Sequence, residues 1–84
     1  MKKIIMYTGP LCNFCEAAKR LFLRNDLSYK EIDISTGDGL RDEMVKKANG
    51  KRTIPQIFFD DQHVGGYQEL RALEKEGKLL DLVK

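Results

Sequence analysis

Ile4-Ile5-Met6-Tyr7 is an unbroken apolar run ended by Gly9-Pro10, the pattern of a strand buried on both faces of a sheet. From Cys12 the spacing changes. Phe14, Ala17 and Leu21 fall on one helical row and Cys15, Ala18 and Phe22 on the next, which predicts a helix of about three turns closing near Asn25-Asp26. Ser28 to Ile34 alternates, with Ile32 and Ile34 on one face and Glu31 and Asp33 on the other, as a less buried strand would. After a Ser35-Thr36-Gly37-Asp38-Gly39 loop, Leu40, Met44 and Ala48 recur every four residues. Asn49-Gly50 supplies the left-handed stop of that second helix. Ile57-Phe58-Phe59, the polar Asp60-Asp61 and His63-Val64 read as a hairpin ended by Gly65-Gly66. Leu70, Ala72 and Leu73 mark a third helix stopped at Gly77, and Leu79-Leu80 with Leu82-Val83 form a last apolar turn that closes the core.

The expected order is β-α-β-α-β-β-α, a parallel crossover unit followed by a hairpin and a trailing helix. Crossovers between parallel strands are right-handed in nearly all cases, and an α/β thioredoxin-like fold satisfies this order with a four-stranded mixed sheet flanked by helices. With 84 residues and no linker, repeat or low-complexity segment, residues 1–84 are expected to form one domain.

Composition narrows the function. A net charge of +2, from fifteen basic and thirteen acidic residues, provides no basic stripe for nucleic acid. No apolar run approaches the ~20 residues of a membrane span, and only about four apolar residues follow Met1-Lys2-Lys3, too few for a signal peptide. A reducing, cytoplasmic setting is therefore the expectation. There, two cysteines do chemistry more often than they make a structural disulfide.

Cys12-Asn13-Phe14-Cys15 follows a strand and opens a helix, the context in which a Cys-x-x-Cys pair is redox-active. A sulfur at a helix N-terminus faces unpaired N–H groups and the positive end of the dipole, which lowers cysteine pKa values from about 8.5 to roughly 3.5–7.5. Cys12 is thus the expected nucleophile. Cys15, one turn on and pointing further inward, is the expected resolving thiol, with Lys19 and Arg20 adding positive charge. Zinc would need two ligands beyond the cysteines, where the chain offers only His63 and carboxylates, and inert core cysteines would not require this placement. Thr53-Ile54-Pro55 is either a plain turn before a strand or part of a site. Gly65-Gly66 is either punctuation or a carboxylate-binding helix start. Tyr67 is either packing or the rim of a groove, and His63 is expected to be a solvated hairpin residue.

Tyr7-Thr8, the Cys12–Cys15 motif, Thr53-Ile54-Pro55-Gln56-Ile57-Phe58 and His63-Val64-Gly65-Gly66 stand in the order and at the spacing of one family. Over essentially its whole length the chain resembles the glutaredoxins. The resemblance implies a thioredoxin fold, a cis peptide before Pro55 and a groove holding extended glutathione beside Cys12. It gives Ile54 backbone hydrogen bonds to the glutathione cysteinyl unit, Gly66, Tyr67 and Gln68 the γ-glutamyl carboxylate, and Lys51, Arg52, Thr53 and Pro55 further contacts.

Four positions depart from the family pattern. Asn13 and Phe14 replace the usual proline and tyrosine, removing a conformational restraint and a phenolic hydroxyl. Gly9 stands where a lysine is common, leaving its cationic role to Lys51 or Arg52. Gln68 stands where an aspartate is common, so the γ-glutamyl ammonium loses a charged partner.

The leading expectation is a glutathione-dependent thiol–disulfide oxidoreductase acting on glutathione mixed disulfides and protein disulfides. It would be a monomer with glutathione as reductant and no tightly bound cofactor. Two alternatives accompany it. One is a dimer bridged by a 2Fe–2S cluster on Cys12 and glutathione, motivated by the missing proline at position 13. The other is a redoxin reduced by thioredoxin reductase that supplies ribonucleotide reductase, motivated by Gly9 and Gln68.

Overall fold

The computed structural model describes residues 1–84. Four strands, β1 (Ile4–Thr8), β2 (Lys30–Asp33), β3 (Gln56–Phe59) and β4 (Gln62–Gly65), form one sheet in the order β2-β1-β3-β4. β1 pairs parallel to β2 and antiparallel to β3, and β3 pairs antiparallel to β4. The helices are α1 (Asn13–Arg24), α2 (Leu40–Lys47), α3 (Tyr67–Lys75) and α4 (Leu79–Val83).

β1 is a central strand with both faces covered, which is why its sequence is apolar without alternation. Ile4 and Met6 point toward α1, α3 and α4, into a cluster with Leu21, Phe22, Ile57, Phe59, Leu70, Leu79 and Val83. Tyr7 joins Phe58, Met44 and Ala48 beneath α2. Each fully buried large apolar side chain contributes about 1.5–3 kcal/mol, so these two clusters hold the layers together.

Three helices end alike. Asp26, Asn49 and Gly77 each adopt a left-handed conformation one position past the cap (φ 56°, 56° and 73°). The next residue's N–H then reaches back to a carbonyl of the last turn: Leu27 to Phe22 at 2.9 Å, Gly50 to Val45 at 2.9 Å and Lys78 to Leu73 at 2.9 Å. Asp, Asn and Gly are the residues that tolerate this backbone best.

The structure departs from the sequence pattern in three places. α1 buries Cys15, Ala18, Leu21 and Phe22, whereas Phe14, assigned by spacing to the neighbouring row, is exposed. β2 ends at Asp33, because that carboxylate accepts from the Ser35 N–H at 2.9 Å and the Ser35 hydroxyl at 2.6 Å and turns Ile34–Thr36 into a 3₁₀ turn. The last apolar turn is a separate short helix, α4, set off by the reversal at Gly77.

Candidate active site

β1 delivers the chain to Thr8, and Gly9-Pro10-Leu11 carries it to the start of α1. Cys12 is the N-cap of that helix, with extended backbone, and its Sγ accepts the Cys15 N–H at 3.1 Å. The sulfur therefore takes the place that a serine or threonine oxygen fills in an ordinary cap. Cys12 and Cys15 are joined as a disulfide, with Cα atoms 5.2 Å apart. Cys12 remains partly accessible while Cys15 is completely buried. One sulfur can be approached from solvent and the other only along the S–S bond.

The Ile54–Pro55 peptide is cis, and the Ile54 carbonyl oxygen lies 3.8 Å from Cys12 Sγ. This loop meets the start of α3 so closely that a Cβ at Gly66 would stand 3.3 Å from the Pro55 oxygen. Between them runs a groove of about 350 Å³ lined by Phe14, Thr53, Ile54, Pro55, Gly66, Tyr67, Gln68 and Glu69. Phe14 and Tyr67 stack across it, with ring centroids 5.9 Å apart.

Gly66 is the N-cap of α3 and has no side chain to cap it. The first backbone bond of the helix runs from Leu70 N–H to Gly66 O at 3.1 Å, leaving the earlier N–H groups of α3 without intrahelical partners. Such a helix start favours a carboxylate. The chain supplies one of its own: Glu69 Oε1 accepts the Gly66 N–H at 2.7 Å.

Six of the eight residues expected to contact glutathione, Thr53, Ile54, Pro55, Gly66, Tyr67 and Gln68, come together in this groove. Lys51 and Arg52 are exposed and lie outside its lining; Arg52 is fixed through its carbonyl, which accepts from Arg41 Nη1 at 3.1 Å. Lys19 is not a free cation beside the thiols. Its Nζ sits 3.0 Å from Glu16 and 3.0 Å from Glu31, and both carboxylates raise its pKa. Glu31 in turn accepts the Thr8 hydroxyl at 2.7 Å, and that bond, together with Lys19, lowers its pKa.

Sequence reasoning missed two members of the lining and the support behind it. Glu69 stands three residues after the cap, the spacing of a capping box, so a local signal was present. Behind the Pro55 loop, Gln56 is buried, and its Nε2 donates to the Thr53 carbonyl at 3.0 Å and contacts the Thr53 hydroxyl at 3.2 Å. With that amide nitrogen donating, Gln56 Oε1 must accept, so His63 Nε2, 2.7 Å away, carries a proton. His63 is thus no solvated hairpin residue. It is half-buried against Phe58, and burial, followed by the nearby Lys51 charge, lowers its pKa.

A glutaredoxin family model matches residues 4–64. A probable glutaredoxin of Synechocystis is 44% identical over 77 residues, covering 92% of this chain and 88% of the relative. Glutaredoxin 3 of Escherichia coli K12 is 39% identical over 84 residues, the whole of both chains. The solution structure of glutaredoxin from Brucella melitensis, 46% identical, superposes with a TM-score of 0.86 over 100% of this chain and 90% of that one. No helix here is long and apolar enough to cross a membrane. Agreement of this kind from end to end, on a molecule whose helix-capping sulfur is half of a cysteine pair, means that the chain belongs to the glutaredoxin family of glutathione-dependent thiol–disulfide oxidoreductases.

Proposed function

We propose that Cys12 is the attacking thiolate and Cys15 the resolving thiol in the reduction of glutathione mixed disulfides and protein disulfides. The observation that carries this reading is the contrast between the two sulfurs: Cys12 caps α1 and is accessible, and Cys15 is completely buried behind it. The Cys12 thiolate attacks one sulfur of a substrate disulfide, a mixed disulfide forms, and the other substrate sulfur leaves as a thiolate that takes up a proton. The Cys15 thiolate then attacks Cys12 Sγ, forming the Cys12–Cys15 bond and releasing the second substrate thiol. Two electrons pass to the substrate. Two glutathione molecules return them, leaving as glutathione disulfide.

The groove suits an extended tripeptide lying between the Ile54–Pro55 loop and the start of α3. Ile54 offers backbone hydrogen bonds, Thr53 and Pro55 line the same side, and Tyr67 and Gln68 present N–H groups to the γ-glutamyl carboxylate. Gly66's own N–H is already held by Glu69. Glu69 supplies at the lining the negative charge that Gln68 lacks for the γ-glutamyl ammonium. Lys51 and Arg52 are assigned to the glycyl carboxylate through their charge. The exchange reading uses both sulfurs, whereas a cluster-bridged dimer would use Cys12 alone.

The test is reduction of the glutathione–hydroxyethyl mixed disulfide, coupled to glutathione reductase. Cys12→Ser is expected to abolish turnover. Cys15→Ser is expected to retain turnover on this substrate and to lose reduction of intramolecular protein disulfides. Full activity of Cys12→Ser would refute the assignment.

A further inference from the structure

Leu11, immediately before the cap sulfur, gains nothing from the fold. It is fully exposed (104%) and its backbone is left-handed, with φ of 53°. Glycine or asparagine would make that turn at lower cost, so neither the core nor the backbone explains a leucine here. Of the five large apolar residues left exposed, two, Leu11 and Phe14, flank Cys12. From Gly9 to Cys15 no side chain is charged. Gly9 itself lies against Ile54, whose Cδ1 would be 2.7 Å from a Cβ at that position. The accessible sulfur is thus set in an uncharged rim in which Leu11 and Phe14 are the large exposed apolar members and Asn13 the exposed polar one.

The chemistry forces a partner onto that rim. In a mixed disulfide the two Cα atoms stand about 4.4–6.8 Å apart, and each chain neighbour is about 3.8 Å further along, so the residue beside the partner's cysteine comes within reach of Leu11. Leu11 is not among the residues that line the groove and is fully exposed, so it is open to the chain of a partner that extends beyond a groove-bound tripeptide. We infer that Leu11 is a recognition residue for polypeptide disulfides whose cysteine is flanked by an apolar side chain. This inference rests on the assignment of Cys12 as the attacking thiolate.

Two peptides, each closed by one disulfide and differing only in leucine or serine beside the cysteines, test it, with the glutathione–hydroxyethyl mixed disulfide as reference substrate. The native protein is expected to prefer the leucine peptide by about tenfold in kcat/KM, the scale on which apolar contacts discriminate. Leu11→Asn, which keeps the left-handed backbone, is expected to erase the preference, and Leu11→Met to restore most of it, with reference turnover unchanged in both. Equal rates on the two peptides, or a parallel loss on all substrates in Leu11→Asn, would overturn the inference while leaving the exchange mechanism standing. Absence of reference turnover in the native protein would instead overturn the mechanism, and the inference with it.

Discussion

Phe14 in the first turn of α1 and Tyr67 in the first turn of α3 stack with an interplanar angle of 20°, joining the helix that bears the cysteines to the helix whose start faces the groove. An aromatic pair of this kind contributes about 0.5–1.5 kcal/mol beyond the area it buries. Phe14→Ala should therefore raise KM for glutathione mixed disulfides by about threefold to tenfold, while Phe14→Tyr stays near the native value. Steady-state kinetics on the two variants checks this, and an unchanged KM in Phe14→Ala would remove the stack from the groove's function.

His63→Phe keeps an aromatic ring against Phe58 and deletes the donor to buried Gln56 Oε1. An orphaned buried carbonyl costs about 1–3 kcal/mol, relieved if the Gln56 amide turns over and withdraws its donor from Thr53. The Thr53 side of the groove would then loosen, and KM should rise about threefold or more with kcat preserved. Neutral Nε2–H and the cation both donate, so native KM should stay flat as His63 titrates. A pH series of KM for native protein and variant decides both points.

Gly9 and Ile54 are fitted to each other. Ile54 Cδ1, the atom a valine lacks, fills the space that a Cβ at position 9 would need. Gly9→Lys should cost about 1 kcal/mol of stability, and adding Ile54→Val should recover most of it. Denaturant unfolding of the two single variants and the double variant measures the coupling; simple additivity would contradict the fit.

Glu74 joins the far ends of α1 and α3. Its carboxylate accepts from Arg24 Nε at 2.9 Å and Nη2 at 2.7 Å and from Asn25 Nδ2 at 2.7 Å, and its pKa is lowered to about 2, first by the Arg24 hydrogen bonds. The folded chain thus binds this proton more weakly than the unfolded chain. The stabilisation is present above the ordinary value of 4.5 and is lost as the pH falls from there toward about 2. Glu74→Gln should cost about 1 kcal/mol at pH 7, allowing for solvent screening, and should flatten stability across that acid range. Thermal unfolding from pH 2 to pH 7 compares the two.

The strands and the first three helices were legible because each imposes a short period on its apolar residues. Tertiary context governed what was not. Phe14 shares its helical row with the buried Leu21, yet at the first turn of α1 it is exposed and meets Tyr67. Ile34 alternates like a strand residue, but the Asp33 carboxylate captures the next N–H and ends the strand. The resemblance located six groove residues. It did not disclose that Lys19 is held by Glu31 or that His63 braces Gln56, since each pairing joins two elements, whereas the Glu16–Lys19 pair, three residues apart on α1, does leave a helical spacing in the chain.

The two faces of the sheet are unequally filled, with eleven buried residues clustered on the side of α1, α3 and α4 and five on the side of α2. Spontaneous opening under native conditions begins where the least apolar surface must be wetted. Amide protons of α2 should therefore exchange with solvent through local excursions, while those of α1 wait for the whole domain to unfold. The cysteine pair is thereby expected to ride on the slower-opening side of the molecule, with α2 linked to the groove through Ile54, which packs against the smaller cluster.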